Sequence, residues 1–176
     1  MKRLTQLLWM TVAIAAVLAI SFAVSRQDRD SGDPLLRSFA DNLDTFEDGS
    51  DCFLPDVTPW KWDSVFFVQP HTTQKEVEGI IGFASDVKLG DESTSGEGRM
   101  VFVQDGKVVQ VMKFYSAEYT YIVEADSFFK TADPHDYLCF AADQGVTFTK
   151  NSRNIGGSLW AVLSLAEDVD DCVQSF

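Results

Sequence analysis

Apolar residues fall into blocks along this chain, and each block has its own spacing. The first is continuous. From residue 4 to residue 24 there is no charge, and Thr5, Gln6, Thr11 and Ser21 are its polar side chains. Twenty-one residues at helical rise span about 30 Å, the hydrocarbon thickness of a bilayer. Residues 1–25 therefore read as a transmembrane signal anchor, or as a long signal peptide that is removed. Ser21-Phe22-Ala23 and Ala23-Val24-Ser25 both offer the small-x-small pattern of a cleavage site. The run is longer than a signal-peptide core needs, which favours an uncleaved single-pass anchor in the cell membrane. Cleavage would instead leave a secreted or periplasmic protein. In both cases the rest of the chain faces the extracytoplasmic side.

Residues 26–32 form a polar spacer, and 33–176 are expected to be a single domain. Asp33-Pro34 supplies a helix start, and Leu35, Leu36, Phe39, Leu43 and Phe46 recur at three and four residues on one face. Asp48-Gly49 ends that helix. Residues 52–59, punctuated by Pro55 and Pro59, read as a loop. A strand follows, with Trp62, Ser64, Phe66 and Val68 on one face and Asp63, Val65 and Phe67 on the other. Both faces are largely apolar, as in a central strand covered on both sides. Pro70 stops it. Thr73-x-x-Glu76 then has capping-box spacing, Val77, Ile80 and Ile81 give an inner face, and Gly82 gives the stop.

Residues 88–98 are polar and glycine-rich and read as an exposed loop. Beyond it, 100–104 and 107–114 flank Asp105-Gly106, a two-residue hairpin signature. That turn sets Val103 against Val108 and Phe102 against Val109. It puts Met100, Phe102, Val109 and Val111 on one face and Val101, Val103, Val108 and Met112 on the other. Residues 119–124 make a further strand. Residues 137–142 and 146–150 read as a second hairpin, with a helix from Asp133 to Gly145 as the rival reading. Residues 151–157 read as a turn-rich loop, and 159–165 as a final strand or short helix. The fold class expected is α+β: a mainly antiparallel sheet with one or two helices packed on it.

Charge narrows the partners. The net charge is −13, but residues 1–30 are net +2 and the remainder carries ten bases against twenty-five acids. Such a domain repels phosphate backbones, so no nucleic-acid partner is expected, whereas a cationic protein would be attracted. Asp44, Glu47, Asp48 and Asp51 crowd the end of the first helix without EF-hand spacing, as a solvated acidic face does.

The chain has three cysteines, Cys52, Cys139 and Cys172, none in a C-x-x-C pair. Outside the cytoplasm, two of them are expected to form a disulfide, and spacing does not choose which. His71 and His135, each beside a proline, are the two histidines. Cys139 with His71 is the one nucleophile–base pairing to weigh, and zinc-ligand spacings are missing. No catalytic residue, metal or cofactor is expected. Trp60, Asp63 and His71, at the ends of the 60–83 strand–helix unit, are the candidate partner contacts.

Two segments together resemble a group of small extracytoplasmic bacterial proteins, many of them lipoproteins. The first is Trp62-Asp63-x-Val65-x-x-x-x-Pro70 with its following helix, and the second is MVFVQDGKVV at 100–109. Those proteins tend to carry tyrosine where this chain has His71. Many also have a lipobox cysteine, which this leader lacks, so an anchor helix would replace the lipid. More weakly, 73–82 and the hairpin are similar to helix-and-sheet envelope modules of the outer-membrane assembly and β-lactamase-inhibitor type. The resemblance implies a binding module of the bacterial cell envelope, with an envelope protein as partner. Its alternatives are an acidic inhibitor or immunity protein for a cationic enzyme, and an unrecognised hydrolase.

Overall fold

The computed structural model describes residues 33–89, 98–124, 136–144, 146–165 and 173–175. The leader and its membrane expectation lie outside them, as do His135 and Cys172. Among the described residues, no helix is long and apolar enough to cross a membrane.

The domain is α+β, with two mainly antiparallel five-stranded sheets and few helices. Helix α1 spans Pro34–Leu43, α2 is a single turn at Leu54–Val57, and α3 spans Gln74–Ile81. The strands in chain order are β1 (Ser50–Phe53), β2 (Ser64–Val68), β3 (Arg99–Gln104), β4 (Lys107–Lys113) and β5 (Tyr115–Ser116). They continue with β6 (Tyr121–Glu124), β7 (Asp136–Ala141), β8 (Thr147–Ile155), β9 (Ser158–Leu165) and β10 (Val173–Ser175). One sheet runs β1-β8-β9-β6-β5 and the other β10-β7-β2-β3-β4. The β6–β9 pair is parallel, and every other pair is antiparallel.

The main core lies between the sheets. Val65, Phe67, Met100, Phe102, Leu138 and Phe140 come from one side, and Cys52, Tyr121, Val123, Phe148 and Leu163 from the other. Phe39 and Leu43 of α1, with Leu54 and Val57 of α2, close it. A second cluster covers the outer face of the β2 sheet, where Val77 and Ile81 of α3 pack with Val68, Val101, Val103 and Leu89. So β2 is a central strand, apolar on both faces, as its composition predicts.

Helix α3 begins at the capping box. The Thr73 backbone N–H donates to Glu76 Oε2 at 2.7 Å, and the Thr73 hydroxyl accepts from the Glu76 N–H. It ends at Gly82, whose φ of +83° is open to glycine without a Cβ penalty. The segment after it is stapled down. The Gln74 amide donates to Val87 O and accepts from the Leu89 N–H, while Ser85 N donates to Glu78 Oε1. These bonds to the Glu78 carboxylate, the one from Gln74 first, hold its pKa below the usual carboxylate value. Leu89, expected in an exposed loop, is thereby buried. Residues 90–97 of that loop lie outside the described ones.

Several other expectations change. The Asp105-Gly106 turn forms, with φ of +51° and +67°, and Val103 pairs with Val108. Phe102, however, pairs with Gln110, because Val109 is the extra residue of a β-bulge. The bulge switches the parity of the rest of β4. Val109 and Met112 face the inter-sheet core, while Val108 and Val111 face α3. Trp62 precedes β2 and turns into the inter-sheet core, away from Phe66. Residues 52–59 are strand and helical turn, not loop, because β1 pairs with β8 through backbone bonds that leave little trace in composition.

The second expected hairpin does not exist as a pair. Strand β7 joins β2 and β10, whereas β8 joins β1 and β9 in the opposite sheet. The chain therefore passes from one sheet to the other between β7 and β8. Residues 151–155 extend β8 instead of looping, and Gly156-Gly157, both at positive φ, make a tight turn into strand β9. The end of that hairpin is solvated, and Leu159 is 67% exposed.

Candidate functional site

The chain folds over itself just before β2, and a cleft forms there. Pro55 lies in the first positions of α2, and Pro59 follows its end. Thr58 closes that turn, its N–H donating to Leu54 O, and its hydroxyl accepts from Trp62 Nε1 at 2.9 Å. The Trp62 indole lies in the core, and Pro59 and Lys61 are exposed. Trp60 is half-buried, edge-on to Phe102 with ring centroids 5.1 Å apart and tilted against Phe39 at 6.2 Å. Its Nε1 is buried and donates to nothing among the described residues.

Asp63 ties the entrance of β2 to both neighbouring strands. Its N–H donates to Val103 O, and its carbonyl accepts from the Ala142 N–H, both at 2.8 Å. Its Oδ2 accepts from the Asp105 N–H at 2.6 Å, securing the β3–β4 turn. Lys61, exposed, and Gln104, half-buried, complete a cleft of about 430 Å³ walled by Pro55, Pro59, Trp60 and Asp63. That volume suits a few side chains or a small polar molecule.

The structure thus brings Trp60 and Asp63 together and leaves His71 out. His71 sits in the turn after Pro70, at the opposite end of β2, exposed and with a φ of +68°. Cys139 lies in mid-strand, paired with Phe66 of β2, and Phe66 is five residues before His71. No nucleophile–base pair lines the cleft, and among the described residues no group of His, Cys, Asp and Glu could hold a metal. The arrangement offers apolar contact from Trp60, one cation, one carboxylate and one amide.

No family model matches the chain, and neither a curated protein nor a solved structure is found to match it.

A second hollow of about 410 Å³, which the sequence reading missed, lies where β4 passes into β5. Leu36 of α1, Val111, Tyr115, Tyr119 and Tyr121 line it, and Tyr115 stacks on Trp160 at 5.1 Å. The aromatic run FYSAEYTY at 114–121 was its signal. Strand periodicity uses the same residues, so 119–124 read as a strand alone.

The acids near α1 are all exposed: Asp41, Asp44, Glu47, Asp48, Asp51 and Asp56. One buried cation reaches them. Lys150 Nζ donates to Phe46 O at 2.8 Å and stands 3.4 Å from Asp48 Oδ1. Ser152 donates to the same carboxylate, and this bond first, with Lys150 behind it, holds the Asp48 pKa below its usual value. Asp51 accepts from Thr149 Oγ1 at 2.9 Å. The acidic stretch ends at Asp56, next to the Pro55 wall of the cleft.

Of the cysteines, Cys52 is a fully buried free thiol on β1. Burial pushes its pKa up to about 11. Cys139 is half-buried on β7, in the other sheet.

Proposed function

We propose that this chain is a membrane-anchored, extracytoplasmic binding module of the bacterial cell envelope, not an enzyme, and that it engages an envelope protein through the cleft at the entrance of β2. The observation that carries this reading is the make-up of the cleft. Trp60, Lys61, Asp63 and Gln104 converge there as an aromatic ring, a cation, a carboxylate and an amide. The likeness of 62–70 and 100–109 to small extracytoplasmic proteins points the same way, and the apolar leader at 4–24 supplies the tether.

The test immobilises the full chain in detergent and recovers partners from solubilised envelope. Lys61→Glu reverses the cleft's one cation at an exposed position, so the fold is expected to keep its unfolding midpoint. Capture by the native chain should fall at least tenfold in the variant. Equal capture by both would remove the cleft from the reading, and capture of nothing by the native chain would remove the reading itself.

A second reading, an acidic inhibitor or immunity protein for a cationic enzyme, is favoured by the six exposed acids between 41 and 56. It expects binding that weakens steeply from about 50 to 500 mM salt, as the Debye length shrinks from about 14 to 4 Å. Salt-insensitive binding would refute it.

A further inference from the structure

Three polar side chains lining the cleft at the entrance of β2 have bonding capacity that the fold does not use. Asp63 Oδ2 accepts from the Asp105 N–H, but its Oδ1 accepts from nothing among the described residues. The Lys61 ammonium and the Gln104 side-chain amide likewise make no hydrogen bond among the described residues. Trp60 lines the same cleft, held from behind by Phe102 and Phe39. We propose that this cleft takes an arginine side chain from a basic segment of the partner, its guanidinium lying against Trp60 and donating to Asp63.

Charge around the cleft selects a cation. Asp56, Asp105 and Asp143, all exposed, sit next in sequence to the lining residues Pro55, Gln104 and Ala142. With Asp63 they surround a cleft whose lining holds a single lysine. The wider field has the same sign, since residues beyond 30 carry twenty-five acids against ten bases. Among cations, arginine suits the lining best. Its guanidinium is planar, so it can lie on an indole face while its N–H groups reach a carboxylate, and it is less strongly hydrated than an ammonium. A lysine would bring Asp63 a point charge and offer Trp60 nothing flat.

The other two groups fit the rest of such a segment. A primary amide has donors on its nitrogen and an acceptor oxygen, so Gln104 matches the peptide group beside the arginine. Lys61 is exposed, and its flexible stem lets the ammonium stand clear of the guanidinium and meet a carboxylate on the same partner. A cleft of about 430 Å³ has room for the arginine side chain and the peptide groups that flank it. A sugar could use the same ring and amide, but its binding would be indifferent to charge.

The inference rests on the reading of the cleft as a partner site, and the test keeps the two apart. The full chain in detergent, labelled with nitrogen-15, is titrated with acetyl-Gly-Arg-Gly-amide and followed by NMR at the Trp60 indole N–H. One anchored side chain should move that signal with a Kd on the order of 1 mM. The citrulline analogue keeps the shape and loses the charge, so it should bind about tenfold more weakly, as the loss of a charge-assisted hydrogen bond requires. The lysine analogue, which keeps the charge and loses the plane, should also be weaker. Asp63→Asn retains an oxygen for the Asp105 N–H, so the unfolding midpoint should hold while the affinity for the arginine peptide falls about tenfold. Equal binding of the arginine peptide and either analogue, or no movement of the Trp60 signal, overturns the inference. If that happens while Lys61→Glu still lowers capture from the envelope, the cleft stays a partner site with another occupant. If the arginine peptide binds but the native chain captures nothing, the arginine site stands and the envelope reading falls.

Discussion

Phe67 is the residue on which the two-layer packing can be measured. It is 0% exposed, and its ring meets Phe140 edge-on at 5.5 Å, Phe114 at 6.1 Å and Phe148 at 6.2 Å. Those three rings come from β7, the β4–β5 junction and β8, so both sheets close on this one side chain. Phe67→Ala removes a phenyl ring from a site walled by other rings, where little can collapse into the gap. Substitutions of this kind cost about 3–5 kcal/mol, and the rigid walls place this one near 4. For a domain of this size the unfolding entropy is about 0.3 kcal/mol per kelvin, so the midpoint should fall by roughly 13 °C. With a urea slope of about 2 kcal/mol per molar, the urea midpoint should drop by about 2 M.

The neighbour is the control. Phe66 faces the other way, half-buried against the α3 cluster and 6.3 Å from Tyr137. Phe66→Ala should cost about 1–2 kcal/mol. Equilibrium urea unfolding of the native chain and both variants, followed by tryptophan fluorescence, compares them. If Phe66→Ala costs as much as Phe67→Ala or more, the main core does not lie between the sheets.

Three further outcomes follow from the same packing and charges. Gly98→Ala would push a Cβ into the Phe114 ring, which lies directly on the glycine. It should cost about 1–3 kcal/mol, read as a lower urea midpoint. Glu78 and Asp48 both have lowered pKa values. Their stabilisation is therefore complete above the usual carboxylate range and lost as pH falls through it, because the unfolded chain takes up protons first. The protection factors of the Ser85 and Leu89 amides, taken against the intrinsic exchange rate at each pH, should fall on acidification, and Glu78→Gln should flatten that dependence. Cys52, with a pKa near 11, should resist iodoacetamide at pH 8 in the folded chain and react at once in urea. Rapid labelling in the folded state would contradict its burial.

How much was legible beforehand depended on how local each cause was. The Asp105-Gly106 turn, the Thr73 cap and the Gly82 stop are set within four residues, and all three read correctly. The two-sided nature of β2 also showed in its own side chains. The sheet that each strand joins did not. Strands β7 and β8 alternate equally well, and nothing near residues 142–146 reveals that the chain crosses the sandwich there. The bulge at Val109 was equally silent, since a hydrophobic run of Val108, Val109 and Val111 fits either parity. At the site, Trp60 and Asp63 were singled out because they flank a strand, and the structure does place them in one cleft. His71 was singled out on the same ground. A strand separates its ends, so it lies away from the other two. Lys61 and Gln104 were missed because an exposed lysine and a residue before a turn are ordinary on any surface.

The strand order also dictates when this chain can fold. Strands β3 and β4 form a tight hairpin, and β2 with α3 immediately precedes them in the chain, so this three-stranded half-sheet can form before β7 is made. The other sheet starts later. β5 pairs with its neighbour β6, but the inner strands β8 and β9 are the last long strands among the described residues, and β1 and β6 wait for them; β6 is joined to β9 in parallel across more than thirty residues. Contacts so distant in sequence form slowly, because loop closure precedes the gain from pairing. Half of the core therefore stays open until nearly the whole chain has been made. Such a delay leaves an unpaired, apolar meander in need of protection during synthesis, and keeps the polypeptide threadable until its last hairpin appears.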